Sequence, residues 1–418
     1  MSIVIIGNGI AGNSALRAVR AIDKRVKVIV VSEEKDLLYS ACVLPDYLAG
    51  ELPRREVFLE SPEDYAGLNA ELKFGRVTAI DPGRREIILE NGRLSYRRLI
   101  LATGSEPVIP PVPGKELPGN FALKTLADAD SILGYPASRW VIVGSGPVGV
   151  EASAALARRG CRVTLVEKLD WILPKVFDQY PAGVIREGLA GLGVAVRTGT
   201  GVKAVQGRNA VEKLTLDSGE VIPCDAVIWA AGVRPRVELA RQAGLAIGGT
   251  GGIVTDSRMQ TSHPGVFAGG DCAETADAAG NGPVLSLLWH SAAHQGMVAG
   301  ANCLGAGKEY PGSTAQVVIE LPGLVAGAVG YPAAVMGAGV TASEWSGRNQ
   351  YHRLVFSGGR VAGCQSINNL NYLGGVQNNI RKRAGIDTWR NREFARLIPW
   401  AGGLLVPYAA GHKNVELQ

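Results

Sequence analysis

Three local patterns in the chain carry residues suited to chemistry. Gly7-x-Gly9-x-x-Gly12 and Gly144-x-Gly146-x-x-Gly149 each follow a short apolar run and open a stretch with helical apolar spacing. In such a turn the first glycine permits the tight bend, the second lets a pyrophosphate approach the backbone, and the third packs helix against strand. The helix start adds unpaired N–H groups and the positive end of its dipole. A second apolar strand ends in an acid in both copies, Glu33 after the first turn and Glu167 after the second. Each acid is placed to accept hydrogen bonds from a ribose diol. Beside Glu167 stands Lys168 but no arginine pair that would receive a 2′-phosphate, so the nucleotide expected at the second turn is NADH. The third pattern is a lone thiol, Cys42, in "LLYSACVLPDYLAGE" (37–51). It is either a redox group beside a cofactor, activated by a nearby helix start, or a small buried hydrophobe.

These patterns need strand–turn–helix–strand units to position them. "SIVII" and "KVIVV" frame the first helix, and "RWVIV" and "RVTLV" frame the second. Two such units in 418 residues imply an α/β protein with two Rossmann-like domains and a further module. The 55 glycines, about twice the usual share, are spread over many turns and show no repeat. The net charge of +5 is mild and no long basic tract is present, so nucleic acid is not an expected partner. A window with a single charge, Glu344, over 321–345 is long enough to span a bilayer. It is built from Gly, Ala and Pro, with Pro322 and Pro332 inside it, and is expected to form buried strands and turns. The six cysteines include no C-x-x-C and no ligand cluster, so no metal site is expected, and any iron–sulfur centre belongs to another chain. The opening residues run directly into a strand without a secretory leader, and a cytoplasmic protein is expected.

Three further stretches carry a family resemblance. "LILATGSEPVIPPVPG" (99–114), with Thr103 and Gly104, resembles the strand and linker that leave an FAD domain. "AVIWAAGVRPR" (226–236), with Gly232, resembles the return from an NAD domain. "PGVFAGGDCAE" (264–274), with Gly270 and Asp271, resembles the motif that binds the ribityl chain of FAD. With the two turns, they make the chain similar to the FAD-dependent pyridine-nucleotide-disulfide oxidoreductases over about residues 1–310. The resemblance implies FAD on Gly7, Gly9, Gly12, Glu33, Thr103, Gly104, Gly270, Asp271 and Trp289. It implies NAD(H) as co-substrate on Gly144, Gly146, Gly149, Glu167 and Gly232. Trp289 would open a helix aimed at the flavin, with His290, where relatives often carry proline, beside it. Cys42 and Glu151 are the residues it marks for catalysis.

The implied domains are a split FAD domain (1–112 and 248–308), an inserted NAD domain (113–247) and a C-terminal α+β module (309–418). Gly358-Gly359 is expected to turn a hairpin in the last of these. This module resembles that of NADH:rubredoxin reductases and of the flavin portion of nitrite reductases. The glutathione-reductase branch needs two neighbouring cysteines, and Cys42 has none. The single-cysteine branch, which includes coenzyme-A-disulfide reductases and NADH oxidases, matches at Cys42 and Pro45 but not at Leu38, Val43 or Asp46. "YLAGE" (47–51) matches the branch that works without a thiol. The implied function is electron transfer between NAD(H) and a protein redox partner such as an iron–sulfur subunit, in an oligomer or hetero-complex. The tail 387–418 is similar to that of NADH-linked flavin subunits of phenylglyoxylate dehydrogenase and tungsten aldehyde oxidoreductase. The basic groups of the overlapping stretch 381–396, from Arg381 to Arg396, with Trp389 and Trp400, would dock the partner. The alternatives are a Cys42-dependent reductase of a small disulfide, persulfide or oxygen, and a non-catalytic FAD sensor.

Overall fold

The structure, a computed structural model, describes residues 2–347 and 349–385. The tail 387–418, expected to dock a partner, lies outside the described residues, which take in only Arg381, Lys382 and Arg383 of the basic groups expected to help it. The chain forms two compact units. One comprises residues 1–108, 124–129 and 233–313, and the other 109–123, 130–232 and 314 onward.

The first unit is built on a parallel sheet in the order Ala70–Phe74, Val28–Ser32, Ser2–Ile6, Gly92–Leu101, with Val266–Ala268 paired to the far side of Gly92–Leu101. Ser2–Ile6 is buried along its whole length, because a central parallel strand is covered on both faces, and its sequence is accordingly a continuous apolar run. The register Val4↔Leu99 and Val266↔Leu99 places three strand ends side by side at the glycine turn. The Gly92–Leu101 strand also pairs antiparallel with Glu86–Leu89, which continues to Val77–Asp81.

Helix Ile10–Ile22 buries Ala11, Ala15, Leu16 and Val19, one stripe of the helical period. Helix Trp289–Asn302 lies along it at backbone contact. A Cβ at Gly296 would stand 2.1 Å from the Ala11 carbonyl oxygen, and one at Gly300 would stand 2.3 Å from that of Ala15. Both are glycine because no side chain fits there.

The second unit repeats the parallel arrangement, in the order Ala195–Arg197, Arg162–Val166, Arg139–Val143, Ala226–Trp229, Asn120–Ala122. A small antiparallel sheet, Val202–Gln206 with Lys213–Leu216 and Val221–Pro223, closes one side of its core around Leu214, Leu216 and Trp229. The C-terminal module is a five-stranded antiparallel sheet, ordered Gln316–Leu321, Leu324–Gly330, Arg360–Ile367, Gln350–Ser357, Val340–Gly347, with helix Leu373–Arg381 packed on it. Ser357 pairs with Arg360 across Gly358-Gly359, both at positive φ, so the expected two-residue turn forms as a primed type. The window 321–345 becomes strands and a 3₁₀ turn, and among the described residues no helix is long and apolar enough to cross a membrane.

Beyond shifts of a few residues at 108 and 313, the unit boundaries differ from the expected module boundaries in three places, each for a local reason. The first unit resumes at Val233 rather than near 248, because Val233–Pro235 pairs with Ser105–Pro107 and Val237, Ala240 and Leu245 enter its core. Residues 124–129 belong to the first unit although both flanks belong to the second. Leu126 and Ala129 are fully buried, and the Leu126 N–H donates to Tyr39 Oη at 3.2 Å. The C-terminal module shares a unit with the second parallel sheet. Helices Pro147–Arg158 and Gln179–Gly191 pack on its first two strands, and Asp178 seals the contact. The Asp178 carboxylate accepts from Gln365 Nε2 at 2.7 Å and the Ala334 N–H at 3.0 Å, and it forms an ion pair with the Arg353 guanidinium, whose Nε stands 2.9 Å away.

The glycines separate packing from propensity, and this is testable by thermal unfolding. Gly296→Val overpacks the helix pair and is expected to destabilise by ~3 kcal/mol, at the upper end of such changes, with loss of bound FAD. Gly183, inside helix Gln179–Gly191 with open space around it, is expected to gain about 0.5–1 kcal/mol on replacement by Ala.

Candidate functional site

The first cradle is assembled from Gly7, Gly9 and Gly12. Gly7 has φ +108°, and a Cβ there would lie 2.1 Å from the Ala102 carbonyl oxygen. A Cβ at Gly12 would lie 2.0 Å from the Gly7 carbonyl oxygen, while Gly9 faces open space. The turn is therefore closed on the protein side and open on the ligand side. Helix Ile10–Ile22 starts with no side-chain cap and no acid in its first turn, which leaves its N–H groups for an anion. Helix Trp289–Asn302 likewise starts without a side-chain cap or an early acid. Gly296 lies level with Ala11 and Gly300 with Ala15, so the two helices run in the same direction. The second helix begins seven residues before Gly296 and the first only one before Ala11, so the second start projects about 9 Å beyond the first at 1.5 Å per residue. One extended ligand could meet both helix starts, its phosphates at the first and a ring system at the second. Trp289 and His290 are half-buried at that second start.

Between them sits Asp271. Its Oδ2 accepts from Ser105 Oγ at 2.6 Å and Lys124 Nζ at 2.9 Å, which leaves Oδ1 for a ligand hydroxyl. Gly270, at φ +84°, donates its N–H to Gln295 Oε1 at 2.7 Å and would press on Ala11 with any side chain. Thr103 Oγ1 donates to the Arg236 carbonyl at 2.6 Å, and the Arg236 N–H donates to Gly104 O at 2.9 Å, tying the outgoing strand to the returning one. Glu33 is exposed and meets Arg236 at 3.6 Å and Arg76 at 3.8 Å. A cradle shaped by glycine, two open helix starts and a half-engaged carboxylate fit a resident FAD. Sequence reasoning missed Ser105, Lys124 and Gln295. Gln295 is the one with a local signal, a polar residue on the buried face of an otherwise small-residue helix.

The second cradle has the same closure. A Cβ at Gly144 (φ +101°) would stand 2.4 Å from Ala230 O, one at Gly149 would stand 1.9 Å from Gly144 O, and Gly146 is open. Ala230 here plays the part that Ala102 plays in the first cradle. Glu167 is buried. Its Oε2 accepts from Ser145 Oγ at 2.6 Å and the Ser145 N–H at 2.9 Å, and its Oε1 accepts from the Leu169 N–H at 2.9 Å. Glu151 is half-buried one turn into helix Pro147–Arg158, and Gly232 sits at φ +108° in open space.

Cys42 is exposed, in the 3₁₀ turn Ala41–Val43 that leads into helix Leu44–Ala49. Its segment is held by Tyr39, whose hydroxyl donates to Glu34 at 2.8 Å and accepts from the Leu126 N–H, two residues from Lys124. The remaining cysteines have a different chemistry. Burial pushes the thiols of Cys224, Cys303 and Cys364 up to about 12, and raises those of Cys272 and Cys161. His352 is pushed down to about 4 by burial and is neutral at physiological pH. Among the described residues no cluster of His, Cys, Asp and Glu could hold a metal.

Two dinucleotide cradles on two parallel sheets, one fitted to a resident flavin and one to a nicotinamide nucleotide, define a flavoprotein oxidoreductase. The chain belongs to the pyridine nucleotide-disulphide oxidoreductase family, whose model matches residues 1–296. It is 33% identical to an NADH oxidase of Methanocaldococcus jannaschii over 74% of this chain and 72% of that one. It is 29% identical to the NADH-dependent phenylglyoxylate dehydrogenase subunit epsilon of Aromatoleum evansii over 94% of both chains. A crystal structure of the covalent putidaredoxin reductase–putidaredoxin complex superposes with a TM-score of 0.85 at 25% identity, over 96% of this chain and 99% of that one. The protein is an NADH-dependent FAD oxidoreductase that uses NAD(H) as co-substrate.

Exposure and thiol ionisation together predict the order of alkylation. Iodoacetamide at mildly alkaline pH should modify Cys42 of the native protein first and spare Cys224, Cys272, Cys303 and Cys364 until denaturant is added. Peptide mass spectrometry reads the order, and early labelling of any of those four would contradict the burial described above.

Proposed function

We propose that this protein is the NADH-reactive flavin subunit of a multi-subunit oxidoreductase and exchanges electrons between NAD(H) and an iron–sulfur or other protein redox partner. Bound FAD supplies the conversion between a hydride pair and single electrons. The chain's own residues hold and bias that group. The first cradle and its helix N–H groups receive the pyrophosphate, Glu33 the ribose and Asp271 the ribityl hydroxyls. Helix Trp289–Asn302 directs its positive end at the ring and favours negative charge there. Ser105 and Lys124 hold the Asp271 carboxylate in place through its Oδ2. The second cradle receives the nicotinamide dinucleotide, with Glu167 at its ribose.

The observation that carries this reading is the Aromatoleum evansii match, which spans 94% of both chains and so takes in the C-terminal module. The Methanocaldococcus jannaschii match stops at 74% of this chain. The absence of a second cysteine beside Cys42 adds support, since no dithiol can form there. One observation favours a second reading. Cys42 is exposed on a turn at a helix start, where a thiolate could attack a small disulfide or persulfide.

Two measurements separate the readings. Untagged protein from its native cells is expected to elute together with iron–sulfur subunits. Cys42→Ser is expected to keep its FAD and its NADH–ferricyanide rate within about tenfold of the parent, a barrier change under ~1.4 kcal/mol. Elution as a lone chain that reduces coenzyme-A disulfide with NADH, an activity lost in Cys42→Ser, would replace the first reading with the second.

A further inference from the structure

We propose that Ser145, which lies between Gly144 and Gly146 in the second glycine turn, is a positioning residue that immobilises the Glu167 carboxylate and so enforces NADH over NADPH. The proposal rests on the reading that Glu167 faces the adenosine ribose, and it assigns the discrimination to the pair rather than to the acid alone.

A carboxylate rejects a 2′-phosphate only if it cannot turn away. An exposed acid can rotate into solvent, where charge–charge interactions are weak and readily screened. Glu167 has no such freedom. It is 9% exposed and accepts three hydrogen bonds, two of them from Ser145. A carboxylate offers about four lone-pair sites. The three that are filled leave one, on Oε1, so the acid can take a single ribose hydroxyl while its charge stays fixed. Hydrogen bonds to an ionised acceptor are the stronger kind, and the Ser145 Oγ contact is short at 2.6 Å.

Ser145 is itself fixed. It is fully buried, and its hydroxyl accepts from the Leu173 N–H at 3.2 Å while donating to Glu167. Leu173 is a buried non-glycine residue at φ +54°, and its N–H also reaches the Ser145 carbonyl oxygen at 3.0 Å. The loop that follows Glu167 is thus folded back over the glycine turn with the Ser145 hydroxyl between them.

The first turn of the same chain is an internal control. Asn8 occupies the matching position; its Oδ1 accepts from Tyr65 Oη at 2.7 Å, and its Nδ2, the group that could donate, makes no hydrogen bond to the acid. There Glu33 is exposed and its nearest ion pairs are long. The device is present where a diffusing nucleotide must be selected and absent where a resident cofactor would sit.

Calorimetric dissociation constants for NAD⁺ and NADP⁺ on the FAD-loaded protein test the proposal, using wild type, Ser145→Ala, Glu167→Ala and the double variant. Ser145→Ala is expected to lower the NAD⁺ preference about tenfold, the scale of one hydrogen bond to a charged group. In the Glu167→Ala background the same substitution is expected to change nothing further. If Ser145→Ala does not retain FAD, Ser145→Cys carries the test, since it keeps the side-chain shape and replaces a strong donor by a weak one. A preference unchanged within about twofold in the Ser145 variants, alongside a loss in Glu167→Ala, overturns the proposal alone. An equal weakening of both nucleotides also overturns it, because Ser145 would then only shape the turn. No change in Glu167→Ala overturns the reading of Glu167 beneath it.

Discussion

The first unit depends on two helices meeting at their backbones. Where Gly296 and Gly300 lie against Ala11 and Ala15 there is no room for a single methyl group. Contact this close fixes the register of the pair, because sliding by one residue would drive a side chain into a carbonyl. Two helix starts are thereby held in one direction and offset along it, one for phosphate and one for the far end of the same ligand. Gln295, beside Gly296, reaches the Gly270 N–H from this fixed position. Asp271 is carried with it, and Ser105 and Lys124 complete its surroundings.

The second unit uses the same closure of a glycine turn on a neighbouring alanine, Ala230 in place of Ala102. The turn answers only the requirement that a pyrophosphate reach the backbone. What differs lies one layer out, in whether the acid at the strand end is exposed, as Glu33 is, or buried and bonded, as Glu167 is. The C-terminal module joins this unit through a buried polar contact. Asp178, at the start of helix Gln179–Gly191, spends its carboxylate on Gln365, Arg353 and the backbone of the module instead of capping its own helix. An acid buried in this way is tolerable because its acceptor sites are filled.

Much of the site was legible because its determinants are local. A glycine turn between an apolar strand and an apolar-spaced helix is written in consecutive residues, and so are Glu33, Glu167, the Gly270-Asp271 pair and the Gly358-Gly359 hairpin. The residues that went unseen satisfy polar groups across long stretches of chain. Lys124 is separated from Asp271 by 147 residues, Ser105 from Asp271 by 166, and Gln365 from Asp178 by 187. No periodicity marks such partners, since each is an ordinary polar residue until folding brings a buried acid to it.

The sequence by itself determined the two α/β cradles, the nucleotide chemistry they suit and the family, because steric rules for glycine and the strand–helix period act over a few residues. Tertiary structure alone decided which segments form one compact unit. Val233–Pro235 joined the first unit by strand pairing, residues 124–129 by burial of Leu126 and Ala129, and the C-terminal sheet joined the second through Asp178. It also decided that Cys42 stands exposed while four of the other cysteines are buried. Burial and polar satisfaction are properties of what surrounds a residue in space, and a residue's neighbours in the chain do not carry them.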